Sequence, residues 1–394
     1  MKKYVTCAII ICLIGIIPFI IHLNSNYEIS LNGIKNVNIN VNSKYEDEGI
    51  TLKRFGRSVK NYKTINNVDT NKIGTYEVLY KIDNIEEKRI VNVVDNEKPI
   101  IKLKKSYYLR NNKEDIKDLI EVSDNYDKDL NIEVVGNYNL NKNGKYNIKY
   151  IVSDSSNNKN ELETIINVQD KDTDGIPVLM YHWFYDDTIG EKAGERNTHN
   201  FIAKSEFEKQ MKYLKENNYY FPTWQELIDY IDKKIDLPKK SIVLTDDDCM
   251  DSFFKIALPV FQKYEVPFTS FCITKKSNWQ KYVNEPFLEF QSHTNALHNR
   301  ICKGSWDGAV MCKDYDTIYN DLKLSVEKVK STDSFAYPFG HYNDKTIKAL
   351  KEVGIKLAFT IKDGKVKIGA NKYKLPRVRI SKGTSLNTYI NLVK

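Results

Sequence analysis

The chain has 394 residues, of which 41% are hydrophobic, so it can form two or three domains with cores of their own. Its formal net charge is +8 at neutral pH. The Lys and Arg residues are spread along the chain without a block interleaved with aromatic residues, which argues against nucleic-acid binding and favours approach to an anionic wall or membrane surface.

The first predicted element is a membrane anchor. Lys2 and Lys3 precede the segment Tyr4–Leu23, which contains no Asp, Glu, Lys or Arg. A transmembrane helix needs about 20 apolar residues, and no small-residue cleavage site follows, which argues against a cleaved signal peptide. The positive-inside rule then places the N-terminus inside the cell. We expect residues 1–26 to form a single-pass anchor in the cell membrane, with the rest of the chain, including its C-terminal domain, extracellular.

Residues 27–170 contain short runs in which apolar and polar residues alternate, the pattern of strands with one buried face. The run GTYEVLYKI, which starts at Gly74, is matched by GKYNIKYIV at Gly144. A repeat of this kind indicates two copies of one small β fold. We therefore predict two all-β modules, at residues 27–97 and 98–170.

Two further features support this interpretation of the repeat. EKP at Glu97–Pro99 opens the second module, and DSSNN at Asp154–Asn158 precedes its last strand. The arrangement resembles the bacterial immunoglobulin-like (Ig-like) modules of cell-surface proteins, which are small sandwiches. We expect the modules to act as spacers. Wall binding is the alternative, since a fold alone does not define a function.

After the polar linker QDKDTDG at residues 169–175 the pattern changes. Apolar strand-like runs now alternate with segments of helical periodicity, such as the one around Ser205–Asn217. This alternation is typical of parallel βα units, and over such a length we expect them to close into a distorted (β/α) barrel. The predicted fold class is therefore a multidomain chain with a transmembrane helix, two small all-β Ig-like sandwiches and an α/β barrel at residues 171–394.

Four predicted barrel strands end in polar or conformationally special residues. His182 follows the first, Asp246–Asp248 follow the second, His293 follows the third and Pro338–Gly340 follow the fourth. The carboxyl ends of barrel strands meet at one face, where active sites collect. Three adjacent carboxylates repel one another and lose hydration on burial, so the second strand end needs a metal, another cation or solvent to hold it.

Two of the chain's six histidines, His293 and His298, lie close enough in sequence for one turn to bring both imidazoles to the same ion. An Asp with two His suits an open site for zinc or a similar divalent metal. A single His is more often a structural residue. Here the two His and the Asp cluster are all expected at strand ends, which favours a metal site.

These motifs resemble the metal-dependent polysaccharide deacetylases, also called carbohydrate esterase family four. The resemblance covers about Ile176–Lys394. TDDDC, at Thr245–Cys249, corresponds to the family's T-F-D-D-G motif. The five-residue step from His293 to His298 resembles the branch that deacetylates poly-N-acetylglucosamine, in which the motif order is permuted and an early V-L-x-Y-H segment supplies a histidine.

The resemblance implies a role for each matched residue. Asp247 is the expected general base, and His182, in VLMYH, is the expected general acid. Asp248, His293 and His298 are the expected ligands of a divalent metal ion, with zinc as the first choice and cobalt or nickel as alternatives. In this scheme the metal binds a water molecule and the acetamide oxygen.

The motif AYPFG implies a substrate-binding wall. In the family this motif lines the sugar pocket and offers a backbone amide to the oxyanion, here the N–H of Phe339. The expected substrate-binding residues are Tyr337, Pro338, Phe339 and Gly340.

Some positions depart from the family pattern. Asp246 stands where an apolar residue is common, and Cys249 stands where the family has Gly. Ala336 replaces an Arg that orients the base in many relatives, and Arg377, in LPRVRIS, is a candidate to supply that charge. Whether Cys302 pairs with a second cysteine, Cys312, across their short loop is left open.

The resemblance implies removal of N-acetyl groups from N-acetylglucosamine residues of a cell-wall or extracellular polymer. An anchor followed by two spacers favours peptidoglycan, and the motif spacing favours poly-N-acetylglucosamine; we expect peptidoglycan by a small margin. The alternative from another class is a catalytically inactive carbohydrate-binding or adhesion protein of the cell surface. We expect no nucleic-acid partner and predict no protein partner.

Overall fold

The computed structural model of the chain describes residues 20–21, 27–194, 198–303 and 305–394. These residues form two compact units. The first comprises the described residues up to Ser106 together with Asp115–Tyr138 and Asn147–Ile165, and the second comprises Tyr107–Glu114, Asn139–Tyr146 and Ile166–Lys394. The second unit thus includes residues that precede Lys171, at which the sequence places the start of the barrel domain.

Most of the predicted membrane segment, Tyr4–Leu23, lies outside the described residues. Its two described residues, Ile20–Ile21, form a short strand that pairs antiparallel with Tyr27–Leu31. These two residues are therefore extended, whereas the prediction made them helical, because their backbone groups pair across strands. Among the residues that the structure describes, no helix is long and apolar enough to cross a membrane.

The first module consists of two four-stranded sheets, in the orders β1-β2-β4-β5 and β3-β8-β7-β6. Its strands are β1 (Ile20–Ile21), β2 (Tyr27–Leu31), β3 (Asn36–Asn40), β4 (Ile50–Arg54), β5 (Arg57–Ser58), β6 (Lys63–Asn66), β7 (Gly74–Ile82) and β8 (Ile85–Val94). In the second half of β7 every other residue is buried, as the alternating sequence predicts. The buried faces of β2, β4, β7 and β8 share one apolar core.

The next six strands form two sheets, in the orders β9-β11 and β10-β14-β13-β12. They are β9 (Ile100–Leu103), β10 (Tyr107–Leu109), β11 (Ile120–Ser123), β12 (Asn131–Val135), β13 (Gly144–Ser153) and β14 (Lys159–Gln169).

The sequence repeat is also a structural repeat. GTYEVLYKI forms β7 and GKYNIKYIV forms most of β13. The hydroxyl of Tyr76 donates to the carbonyl of Lys72 at 2.8 Å, and that of Tyr146 donates to the carbonyl of Lys142 at 2.9 Å. Equivalent residues therefore make the same contact with the turn that precedes each strand.

Seven parallel strands of the second unit close into a barrel in the order β15-β18-β19-β20-β21-β22-β23. A further parallel pair, β16 with β17, follows the first barrel strand in sequence. The strands are β15 (Val178–Tyr181), β16 (Trp183–Tyr185), β17 (Phe201–Ala203), β18 (Val243–Asp247), β19 (Phe268–Cys272), β20 (Leu288–Ser292), β21 (Ser334–Ala336), β22 (Leu357–Asp363) and β23 (Leu375–Arg379).

Helices connect the barrel strands or, in the case of the last helix, follow them, and most begin at a residue that caps them. They are α1 (Lys204–Glu216), α2 (Trp224–Ile231), α3 (Leu258–Lys263), α4 (Tyr315–Val329), α5 (Asp344–Val353) and α6 (Leu386–Val393). Thr223 and Glu226 form a capping box at the start of α2, and the side chains of Asp314, Asn343 and Ser385 cap α4, α5 and α6. A π-helical turn, Phe253–Ala257, leads into α3.

Candidate active site

The C-terminal ends of four barrel strands bring the predicted polar residues to one rim. His182 follows β15, Asp247 ends β18, His293 follows β20 and Tyr337 follows β21. Because all seven strands are parallel, these ends meet at the same face of the barrel. Asp247 and His293 are only 3% and 2% exposed, so water screens their electrostatic interactions and hydrogen bonds very little.

Asp248, His293 and His298 form a compact ligand set, with one ligand atom from each within 4.8 Å of the others. Oδ1 of Asp248 lies 3.1 Å from Nε2 of His298 and 3.6 Å from Nε2 of His293. Nδ1 of His293 lies 2.7 Å from the carbonyl oxygen of Ala336. A carbonyl only accepts, so Nδ1 carries the proton and the lone pair of Nε2 faces Asp248.

The residues present fit a divalent cation. Oδ1 of Asp248 is buried and has no hydrogen-bond donor among the described residues, although two imidazole nitrogens approach it. Burial lowers the pKa of His293 to about 4, so its imidazole is neutral at neutral pH, the form that binds a metal. One carboxylate and two imidazoles, with positions left over, are a usual donor set of zinc.

Asp247 is held by Arg377, which lies on β23. Two guanidinium nitrogens of Arg377 donate to the two carboxylate oxygens, each at 2.7 Å, and its Nε donates to the carbonyl of Thr360 at 3.1 Å. Burial alone would raise the pKa of Asp247, but the charge and the hydrogen bonds of Arg377 outweigh it and keep that pKa far below its usual value. Asp247 is therefore ionised at neutral pH.

His182 lies on the other side of Asp247. Its Nε2 is 4.0 Å from Oδ2 of Asp247, and its Nδ1 is buried without a hydrogen-bond partner in the described part of the chain. Burial lowers the pKa of His182, and the nearby carboxylates act against this effect. The arrangement places a titratable imidazole beside the Asp247 carboxylate and in the same cleft as the ligand set.

Asp246, the first of the three adjacent carboxylates, points elsewhere. Its Oδ2 accepts a hydrogen bond from Ser270 on the neighbouring strand at 2.8 Å, and burial raises its pKa well above the usual value. Successive residues of a strand face opposite sides, so Asp246 and Asp247 are separated by the strand itself. The repulsion expected within the cluster is thereby reduced.

The turn after β18 has an unusual backbone. Asp248 and Cys249 both have positive φ angles, 81° and 48°. Left-handed geometry is costly for a residue with a side chain, which accounts for the Gly that relatives carry at position 249. Here a disulfide links Cys249 to Cys272 at the end of β19, and the N–H of Asp248 donates to the carbonyl of Phe271 at 3.0 Å. The sequence interpretation missed this disulfide.

A second disulfide joins Cys302 and Cys312, the pairing that the sequence left open. It closes the loop between β20 and α4, which carries the cleft residues Arg300 and Trp306. The pairing fits a chain whose catalytic domain is expected outside the cell.

The turn Tyr337–Gly340 forms one wall of the site. The Phe339 ring lies 4.6 Å from the ring of His298, and a Cβ on Gly340 would lie 2.5 Å from Cγ1 of Ile361. Pro338 is buried, and the hydroxyl of Tyr337 donates to the carbonyl of Tyr373, so these two side chains brace the turn from the protein side. The turn thus presents Phe339 to the cleft.

A cleft of about 490 Å³ is lined by seven of the residues selected from the sequence: His182, Asp247, Asp248, His293, His298, Tyr337 and Phe339. Seven further residues line it that the sequence interpretation did not select: Trp183, His199, Asn200, Arg300, Trp306, Ile361 and Arg379. Arg379 could have been found, because it lies two positions after Arg377 on the same strand and therefore on the same side. Arg300 and Trp306 lie in an irregular loop, where no periodic pattern marks their direction.

Comparisons with known proteins agree with the motifs. Residues 234–358 match the family described as polysaccharide deacetylase, and residues 29–92 match the bacterial surface protein Ig-like domain. A poly-beta-1,6-N-acetyl-D-glucosamine N-deacetylase from Staphylococcus aureus is 31% identical over 199 residues, which cover 46% of this chain and 68% of the relative. Its counterpart from Staphylococcus epidermidis is 30% identical over 214 residues, covering 50% of this chain and 73% of the relative.

Among solved structures, IcaB from Ammonifex degensii aligns with a TM-score of 0.49 and 25% identity, covering 57% of this chain and 99% of that protein. The sequence relatives and the family match confirm the resemblance inferred from the motifs, for the barrel and for the first β module. The chain belongs to the polysaccharide deacetylase family.

Proposed function

We propose that the chain is a metal-dependent N-deacetylase that removes acetyl groups from N-acetylglucosamine residues of an extracellular polymer, with β-1,6-linked poly-N-acetylglucosamine as its substrate. One observation carries the proposal: a candidate metal-ligand set, an ionised carboxylate and a further histidine lie together at one rim of the barrel. Asp248, His293 and His298 supply the ligand set, and Asp247 and His182 flank it.

Asp247 is proposed as the general base. A divalent cation in the ligand set would lower the pKa of an attacking water molecule and polarise the acetamide carbonyl. The bond to Arg377 keeps Asp247 ionised and fixes the direction of its oxygens, at the expense of its basicity. A bound cation would make the water more acidic, which would offset the low basicity that Arg377 imposes on Asp247 as the proton acceptor.

His182 is proposed as the general acid. Breaking the amide bond requires a proton on the leaving nitrogen, and His182 is a second titratable side chain at the rim, next to Asp247. The N–H of Phe339, in the turn that forms the cleft wall, is proposed to donate to the acetamide oxygen as negative charge develops on it. The products are acetate and a free amino sugar.

The choice of polymer rests on the relatives and the cleft. The two staphylococcal relatives are named as deacetylases of poly-β-1,6-N-acetylglucosamine, which moves the proposal away from the peptidoglycan favoured by domain order alone. At the cleft, Trp306 is 81% exposed, and the guanidinium of Arg300 lies 5.9 Å from the centre of its ring and 4.3 Å from that of Phe339. An exposed indole beside a cleft is a surface on which a sugar ring can stack.

The proposed location is the outer face of the cell membrane, with residues 1–26 as the anchor. The match of residues 29–92 to an Ig-like domain of bacterial surface proteins supports an extracellular position. Protease added to intact cells should remove the barrel; a barrel that is cleaved only after the cells are opened would contradict this location.

The function is tested by measuring acetate release from two substrates, β-1,6-linked N-acetylglucosamine oligomers and purified peptidoglycan. The full chain is stripped of metal and reloaded with zinc, cobalt or nickel, and Asp247→Asn serves as the matched variant. We expect metal-dependent release from the oligomers and none from Asp247→Asn, which should still bind metal. Release from peptidoglycan alone would mean that peptidoglycan is the substrate, and an active Asp247→Asn variant would mean that Asp247 is not the general base.

A further inference from the structure

Four carboxylates come together in the first unit, where the first β module passes into the second. Asp95 follows β8, Asp124 and Asp127 lie in the loop between β11 and β12, and Asp154 lies in the turn between β13 and β14. Each offers an oxygen atom within 4.8 Å of the oxygens of the other three. Residues from three separate loops of this unit are therefore placed around one point.

No basic side chain in the described part of the chain pairs with these carboxylates. Within the described ranges, no Lys, Arg or His nitrogen lies within 4.0 Å of any of the four. Asp95 and Asp154 are only 5% and 8% exposed. Ionised carboxylates that are packed together out of water are strongly unfavourable unless a cation is present.

Independent of the clustering, buried oxygen atoms at this point lack any partner. Oδ2 of Asp95 and Oδ2 of Asp124 accept no hydrogen bond from the described residues, and the same holds for the amide oxygen of the adjacent Asn125. A buried acceptor without a donor is costly and uncommon in a folded protein. A bound cation that is coordinated by oxygen atoms would satisfy all three of these acceptors.

The remaining oxygens are fixed in place by the surrounding loops. Oδ1 of Asp95 accepts from the N–H of Glu97 at 3.1 Å and from Nδ2 of Asn125 at 3.2 Å. Oδ1 of Asp124 accepts from the N–H of Asp127 at 3.0 Å, and both oxygens of Asp127 accept from the hydroxyl of Ser155. The carboxylates are thus oriented before any ion binds.

We propose that Asp95, Asp124, Asp127 and Asp154 form a Ca²⁺ site at the junction of the two β modules. All the donors are oxygens, which suits a hard cation and disfavours zinc, which takes nitrogen and sulfur ligands as well. Ca²⁺ accepts six to eight oxygens in irregular geometry, as loops provide, whereas Mg²⁺ needs a near-regular octahedron. The proposal does not depend on the proposed enzymatic function.

Bound Ca²⁺ would stiffen the junction. Asp95 belongs to the linker DNEKP that leaves the first module, and the other three Asp lie in loops of the second. Hydrogen bonds already cross this junction: Nδ2 of Asn42 donates to the carbonyl of Asn125 at 2.9 Å, and Nδ2 of Asn158 donates to the carbonyl of Asp95 at 3.1 Å. An ion shared by the linker and the loops would add several bonds across the same place and limit bending there.

The test is Ca²⁺ binding to the full chain by titration calorimetry, with thermal unfolding followed in the presence of Ca²⁺ or chelator. Asp124→Asn and Asp127→Asn remove ligand charge with little change in shape. Asp129→Asn is the matched control, because it lies in the same loop and is exposed. Asp248→Asn shows whether any of the Ca²⁺ binding comes from the ligand set of the barrel, because it alters that set alone.

We expect wild-type, Asp129→Asn and Asp248→Asn chains to bind Ca²⁺ alike, with a Kd of about 10⁻⁴ to 10⁻³ M, as in other extracellular modules. Asp124→Asn and Asp127→Asn should bind at least about 10-fold more weakly and lose the rise in Tm that Ca²⁺ gives the other chains. Unchanged binding in both variants would overturn the proposal.

A second measurement needs no variant. Terbium bound at this point would be excited through Tyr126, which lies between two of the ligands in sequence, and Ca²⁺ should displace it. No Ca²⁺ binding and no displaceable terbium signal at about 10 mM Ca²⁺, well above the weakest Kd of such modules, would also overturn the proposal.

Discussion

Replacing Arg377 with methionine tests whether this residue controls the ionisation of Asp247. The substitution keeps a long side chain but removes the charge and both hydrogen bonds of 2.7 Å to the carboxylate. The side chains of Arg377 and Asp247 are 0% and 4% exposed, so water cannot replace what is lost.

The loss can be bounded from this burial. Removing one partner of a buried ion pair costs about 3–5 kcal/mol, because the other charge is left buried alone. We expect Arg377→Met to lose about that much free energy of unfolding at neutral pH. The double variant with Asp247→Asn should be more stable than Arg377→Met alone, since no isolated charge remains.

The loss of stability in Arg377→Met should depend on pH, and the pKa of Asp247 sets the direction of this dependence. In the wild-type chain the pKa of Asp247 is lowered by folding, so its contribution to stability is present above the unfolded value of about 3.9 and is lost only as the pH falls below it. Without Arg377, burial raises the pKa of Asp247. Protonation of Asp247 at lower pH then removes the buried unpaired charge and stabilises the folded variant. The difference between wild type and variant should therefore be largest at neutral pH and shrink as the pH falls.

Urea unfolding of the metal-free chain, followed by tryptophan fluorescence, measures this effect in the barrel, because all four tryptophans lie in the second unit. Arg379→Met is the matched control, since Arg379 donates to the neutral amide of Asn200 and not to a carboxylate. The free energy of unfolding of Arg379→Met should fall by only about 1 kcal/mol, the usual contribution of one hydrogen bond. Equal losses in both variants, or a loss in Arg377→Met that does not change with pH, would refute the reasoning.

Three further predictions concern the wall, the ligand set and the rim of the cleft. Gly340→Ala should destabilise the barrel by about 1–3 kcal/mol more than Gly383→Ala, because both positions have positive φ but only at Gly340 would a Cβ meet Ile361; equal losses would contradict this. The free energy of unfolding of the metal-free chain should fall as the pH drops from about 6.5 to 4, because His293 binds a proton in the unfolded chain but not in the folded one. His293→Gln should make the free energy of unfolding, measured by urea titration, less dependent on pH in this range. Trp306→Ala should raise KM for the polymer severalfold with little change in kcat; a loss confined to kcat would exclude a binding role.

Local patterns predicted the elements of the barrel well. The helix predicted around Ser205–Asn217 is observed at Lys204–Glu216, because its buried positions recur on one face. The alternating runs of the β modules likewise became strands with one buried face. These features depend on neighbouring residues alone, so the sequence contains what is needed to find them.

Features that depend on the order of strands were less accessible. The disulfide between Cys249 and Cys272 requires that β18 and β19 be neighbours, which only the closed barrel establishes. The pairing of Arg377 with Asp247 depends in the same way on barrel closure, and the family resemblance named Arg377 only as a candidate. Arg300 and Trp306 reach the cleft from an irregular loop whose path no short-range rule specifies.

The most direct test of the central claim is acetate release from β-1,6-linked N-acetylglucosamine oligomers by the chelator-treated chain, before and after one equivalent of zinc. The account predicts no release before zinc, release after it, and no recovery in Asp248→Asn, whose ligand set is incomplete. Release that needs no metal, or that persists in Asp248→Asn, would contradict the assignment of Asp248, His293 and His298 as the metal site.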